Sequence, residues 1–171
     1  MNVFDFAIKM ETDAETYYKK LAEQSQVEGI KKIFLDLAAD EKKHHEMFQA
    51  MKDRTGNTAM EESKALENAR NAFSRMLEQK PPADQLQGDL EAYRHAMKME
   101  AEGARVYEKA LAEETDPEVK ALLERIIKEE QKHFNIVENV HNFANAPNEH
   151  LAWAEFSNLE EFRNFGRDVG A

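Results

Sequence analysis

No cysteine occurs among the 171 residues. That absence excludes disulfide scaffolds, thiolate zinc sites, cysteine-ligated iron–sulfur clusters, c-type haem attachment and cysteine nucleophiles. Glycine and proline are scarce, at 6 and 4 residues, which disfavours a loop-rich or all-β protein and favours long helices. Positive charge is in deficit: 23 Lys and Arg stand against 34 Asp and Glu, a net −11. Binders of duplex nucleic acid or of anionic membranes need a basic surplus, so neither partner is expected. No run of about 18 uncharged apolar residues is present, so no membrane span is expected. Residues 1–10, MNVFDFAIKM, carry neither a basic n-region nor a small-residue cleavage site. The chain reads as soluble and cytoplasmic.

Hydrophobic residues make up 42% of the chain, enough to bury one sizeable core. Helical spacing runs from about Val3 to Gln24, with Phe6, Met10, Ala14, Tyr17, Tyr18 and Leu21 largely on one side. After a short turn at 24–29, a second helix is expected from about Ile30 to Arg54. Its inner stripe is Ile33, Phe34, Leu37, Ala38, His44, Met47, Phe48 and Met51, and Gly56 fits just past its end. The long connection from Gly56 to Gly88 holds a shorter amphipathic helix, roughly Met60 to Leu77, and closes with Pro81-Pro82. A third long helix spans about Asp89 to Glu113. Thr115-Asp116-Pro117 then supplies a cap and a proline start for a fourth, Pro117 to about Asn145. The division expected is a bundle over residues 1–145 and an aromatic-rich tail over 146–171, containing Trp153, Phe156, Phe162 and Phe165 and one more short helix. The fold class is all-α: four long helices joined short, long, short, with the crossover between helices 2 and 3.

Displaced by 89 positions, the sequence matches itself. Ala7-Ile8-Lys9-Met10-Glu11 falls on Ala96-Met97-Lys98-Met99-Glu100, Tyr18 on Tyr107, and Asp40-Glu41-Lys42-Lys43-His44 on Glu129-Glu130-Gln131-Lys132-His133. Each half therefore carries Glu, then Tyr seven residues on, then Glu-x-x-His thirty residues after the first Glu. One displacement that aligns separated segments is far stronger evidence than either motif alone. Positions i and i+3 lie about 60° apart around a helix, so Glu41 and His44 share a side, as do Glu130 and His133. If Glu11 and Glu41 sit at one height in a hairpin, its turn falls near position 26. For Glu100 and Glu130 it falls near 115, and both positions lie in expected turns.

Packing the two hairpins together brings Glu11, Glu41, His44, Glu100, Glu130 and His133 to the bundle centre. Four buried carboxylates repel one another, and two divalent cations balance them. Mixed oxygen and imidazole donors suit iron or manganese, and zinc can occupy such a set. One Glu from each of two helices plus Glu-x-x-His from each of the other two is the di-metal pattern of ferritin-like bundles.

With this duplicated Glu…Tyr…Glu-x-x-His set, over roughly residues 3–145, the chain resembles the rubrerythrin family of ferritin-like di-iron proteins. The resemblance implies two irons per chain, with Glu41 and Glu130 bridging them and Glu11 and Glu100 as terminal carboxylates. His44 and His133 would each bind one metal. Tyr18 and Tyr107 would serve the chemistry from beside the metals, donating hydrogen bonds to ligand carboxylates across the site. It also implies a homodimer, with the aromatic tail as a candidate contact. Two departures stand out. Many rubrerythrins carry a four-cysteine rubredoxin domain, so this chain reads as a stand-alone form that takes electrons from an external donor such as a rubredoxin. Rubrerythrins proper also carry an extra Glu three residues after the first Glu of helix three, where this chain has Gly103; Glu102 points to a different side.

Three functions follow. The first is an oxidoreductase that reacts with hydrogen peroxide or dioxygen. The second is a ferroxidase or iron-buffering protein. The third is a non-catalytic helical interaction module that kept the fold without the metals. Glu138-x-x-His141 has ligand spacing but no counterpart in the other half, and reads as a surface pair. His45 reads as a packed histidine, Glu15 as a weaker alternative to Glu11, and His95 and His150 as exposed. The methionines Met10, Met47, Met51, Met97 and Met99 read as core filler.

Overall fold

The computed structural model describes residues 3–53, 65–79 and 90–145. These form five helices: α1 Val3–Gln24, α2 Glu28–Asp53, α3 Ala65–Gln79, α4 Leu90–Glu113 and α5 Pro117–Asn145. No strand occurs among the described residues. The expected second helix starts two residues earlier than read from the sequence, at Glu28, and the short crossover helix is described over Ala65–Gln79. Arg54, Gly56, Pro81-Pro82, the tail 146–171 and His150 lie outside the described residues.

Both turns fall where a shared height for the glutamates requires them. In the first, the Ser25 amide donates to the Ala22 carbonyl at 3.3 Å, and α2 begins when Lys31 N–H reaches the Val27 carbonyl at 2.9 Å. In the second, the Glu114 carboxylate accepts from the Thr115 and Asp116 amides at 2.7 and 2.9 Å. Asp116 then caps α5, its Oδ1 accepting from Glu118 N–H at 2.9 Å, with Pro117 at the first helical position.

α1 packs chiefly on α2 and α4 on α5, giving two antiparallel hairpins that meet through α1–α4 and α2–α5. The crossover helix α3 lies against α2 and α5. It presents buried Ala65, Ala69 and Ala72, small residues at helical spacing that allow close approach.

Two apolar clusters fill the bundle. One, near the α1–α2 turn, gathers Tyr18, Leu21, Ile30, Phe34, Leu37, Val137 and Val140. The other, near the α4–α5 turn, gathers Ala7, Phe48, Tyr107, Leu122, Leu123 and Ile126. Each fully buried large side chain stabilises the fold by roughly 1.5–3 kcal/mol. The buried stripe of α1 is Ala7, Glu11, Tyr18, Leu21 and Ala22. Phe6, read from hydropathy as inward, is 42% exposed. The inner face is rotated toward Glu11, a residue that hydropathy ranks out of any core.

Candidate metal centre

Glu11, Glu41, His44, Glu100, Glu130 and His133 come from four different helices and are all buried. They form two groups of four in which one ligand atom from each residue lies within 4.8 Å of the others. One group is Glu11, Glu41, His44 and Glu130; the other is Glu41, Glu100, Glu130 and His133. Glu41 and Glu130 belong to both. His44 Nδ1 lies 3.0 Å from Glu130 Oε1, 3.2 Å from Glu41 Oε2 and 3.4 Å from Glu11 Oε2. His133 Nδ1 lies 2.9 Å from Glu41 Oε1 and 3.7 Å from Glu100 Oε1. The two imidazoles stack, with ring centroids 5.6 Å apart.

Two tyrosines tie the hairpins together at this level. The Tyr18 hydroxyl, on α1, donates to Glu100 on α4, and the Tyr107 hydroxyl, on α4, donates to Glu11 on α1. Tyr18 stacks on Phe34, and Tyr107 packs against Phe48. Each donor is therefore anchored in one of the two apolar clusters flanking the polar centre. Burial, followed by the charge of the accepting glutamate, pushes both hydroxyls well above the usual tyrosine range, so they remain protonated donors.

Asp40 and Glu129 also join the arrangement, and the sequence reading assigned them no role. Glu129 Oε2 lies 2.8 Å from His44 Nε2, and Asp40 Oδ2 lies 3.1 Å from His133 Nε2. Each carboxylate serves the imidazole of the other hairpin. Asp40 is also held by Lys43 Nζ at 3.0 Å. A carboxylate on Nε2 fixes that nitrogen as a donor and aims Nδ1 at the centre, where its lone pair would be offered to a bound metal. The available signal was the internal match itself, which aligns Asp40 with Glu129, both acidic and both directly before a shared glutamate.

Burial is the largest influence on the carboxylates. It pushes Glu11 and Glu100 well above the usual range, and the neighbouring charge of Glu130 adds to the rise. Burial also pushes Glu41 upward, but the charge of His133, its hydrogen bond and the nearby His44 imidazole outweigh it and hold Glu41 well below that range. Burial would lower the two histidines, yet the surrounding carboxylates raise both well above the ordinary imidazole value. In the metal-free protein, protons thus do part of the work of cations.

Glu41 Oε2, His44 Nδ1, Glu100 Oε2 and Glu130 Oε1 are buried without a hydrogen-bond partner. Such atoms are costly unless something else binds them. They belong to the two groups that could hold a metal ion, and a hard oxygen and imidazole set suits iron or manganese. The donor chemistry therefore fits a di-metal centre.

The remaining candidates lie apart from both groups. His45 is half-buried and bonded to Thr12 Oγ1 at 2.9 Å, and Glu15 pairs with Lys19. His95 is exposed. Glu138 and His141 are half-buried rather than on the surface. Of the methionines, Met47 is in the core, while Met10 and Met99 are half-buried and line a cavity beside the centre.

No helix among the described residues is long and apolar enough to cross a membrane. Comparison with curated proteins and with solved structures gave no match. The family model for rubrerythrin matches residues 2–140, the whole span that carries the repeat, the two hairpins and the buried carboxylate–histidine centre. The chain belongs to the rubrerythrin family.

Proposed function

We propose that this protein is a non-haem di-iron oxidoreductase that reacts with hydrogen peroxide or dioxygen and takes its electrons from an external donor. The observation that carries the reading is the pair of four-residue groups sharing Glu41 and Glu130, with orphaned ligand atoms in each. Glu41 and Glu130 would be held in common by two irons. Glu11 and His44 would complete one site, and Glu100 and His133 the other. When bound, the iron pair supplies two electrons to the oxidant.

The chain's own contribution is placement of the ligands and apolar shielding along the bundle axis. Glu129 and Asp40 orient the imidazoles from outside. Tyr18 and Tyr107 keep their protons and hold Glu100 and Glu11 in position through them. The apolar clusters above and below close the centre to solvent along the bundle axis, which strengthens every charge interaction inside.

The test is anaerobic loading with iron(II) followed by stoichiometric hydrogen peroxide, with iron oxidation and peroxide loss both followed. About two irons per chain, oxidised together as peroxide disappears, is the expected outcome. A chain that binds no iron, or binds it and reacts neither with hydrogen peroxide nor, in a parallel sample, with dioxygen, rules the function out.

A further inference from the structure

A cavity of about 280 Å³ runs between α1 and α4 to the side of the centre. Its floor is made by the buried Glu11, Glu100, Glu130 and Tyr107, and exposed Asp13, His95 and Glu102 stand at its mouth. Its walls are Met10, Ala14, Met99 and Gly103. Met10 and Met99 are equivalent positions of the internal repeat, each directly before a buried glutamate. At Gly103 a Cβ would sit 3.2 Å from Glu130 Oε2 and 3.5 Å from the Met10 methyl. Glycine therefore lets the Glu130 carboxylate stand close to α4, and a larger side chain at 103 would grow into the same space.

The volume decides what could bind. A water molecule's share of liquid volume is about 30 Å³, so the cavity is several times larger than hydrogen peroxide needs. Charge narrows the choice further. Exposed, acidic Asp13 and Glu102 at the mouth disfavour anions, whereas two thioethers, an alanine and a glycine offer a small apolar wall that a hydrated cation does not use. Glu11, Glu100 and Glu130 on the floor belong to the two groups that could hold the metals, so an occupant of the cavity lies next to the centre.

We propose that this cavity binds a small uncharged organic hydroperoxide. Its hydrocarbon part lies against Met10 and Met99 and its O–O end points toward the buried carboxylates, with Gly103 keeping the space open. The inference rests on the function proposed above and names the substrate class for that same site. The reaction balances as ROOH plus two electrons and two protons giving ROH and water. The O–O bond breaks, the external donor supplies both electrons by way of the iron pair, and solvent supplies the protons.

The probe is 2-phenyl-2-propanol, the unreactive alcohol corresponding to cumene hydroperoxide. It is titrated into zinc(II)-loaded protein carrying ¹³C-methyl methionine, since zinc does not change oxidation state. Saturable shifts of the Met10 and Met99 methyl signals are expected, with the core Met47 signal still. Gly103→Leu and Ala14→Leu should each weaken the apparent affinity at least tenfold at unchanged zinc content. Because Gly103→Leu can disturb Glu130, Ala14→Leu decides the matter if the first variant loses zinc. Absence of the Met10 and Met99 shifts, or their persistence in Ala14→Leu, overturns the inference. If the iron-loaded protein still reacts with hydrogen peroxide in that case, the proposed function survives alone. A chain that binds neither zinc nor iron ends both.

Discussion

The Tyr18 hydroxyl reaches across the bundle to the Glu100 carboxylate, 82 residues away, and Tyr107 returns the same contact to Glu11. These two bonds join the hairpins at the height of the buried charges. Tyr18→Phe removes a donor while leaving Glu100 buried, with its other oxygen already unpartnered. The expected loss is about 1–3 kcal/mol of stability in chemical denaturation of the metal-free protein. Tyr107→Phe should cost a similar amount, because its environment is the equivalent one.

Asp40→Asn and Glu129→Gln leave every proposed ligand in place but remove the charge behind one imidazole. Metal affinity should fall by about 10- to 100-fold, while the number of ions bound at saturation is unchanged. Competitive titration against a chelator measures it, and affinities equal to the parent protein would show that these carboxylates only pack.

The metal-free protein should become less stable as pH rises. His44 and His133 have folded values raised above 6.5, so their contribution is full below that pH and is lost as pH climbs through the folded values. Glu11 and Glu100, raised above 4.5, keep protons that the unfolded chain releases, which also penalises the fold as pH increases. Glu41 works in the opposite sense: its contribution is present above 4.5 and is lost only as pH falls through its lowered value. Melting temperature in excess chelator should therefore decline from about pH 5 to pH 8. Metal affinity should rise over the same range, because ions displace protons. A flat or rising melting curve would contradict this assignment of protons.

Chelation should lower stability at fixed pH, because only the folded chain gathers the ligands. At free metal one hundred times the dissociation constant, the difference is about 2.7 kcal/mol per site. Thermal unfolding with and without chelator reads it directly.

Glu15 provides an internal control. It lies one turn from Glu11 but is paired with Lys19 and belongs to neither four-residue group. Glu15→Gln should change stability by no more than about 0.5 kcal/mol and leave the metal count unaltered.

Much of this was legible from the residues. The repeat singled out six side chains that the fold brings together, and the midpoints near 26 and 115 fell in the observed turns. The bounds of α1 and α5 matched because Asp116-Pro117 and helical periodicity are local signals. The rotation of α1 toward Glu11 was legible from the repeat, which puts that glutamate at the bundle centre, but not from hydropathy, which put Phe6 inside. Asp40 and Glu129 were missed because each acts on the opposite hairpin, a relationship set by packing rather than by spacing along one helix. The positions of Met10 and Met99 beside a cavity depend likewise on Gly103 and on how α1 meets α4.

The proposed function requires that Glu41 be shared between two metals and that Glu11 serve one. Metal content per chain, measured after anaerobic purification, tests it most directly. The expected counts are about two for the parent, about one for Glu11→Ala and close to none for Glu41→Ala. Equal counts in all three proteins, or no bound metal in the parent, would contradict the account.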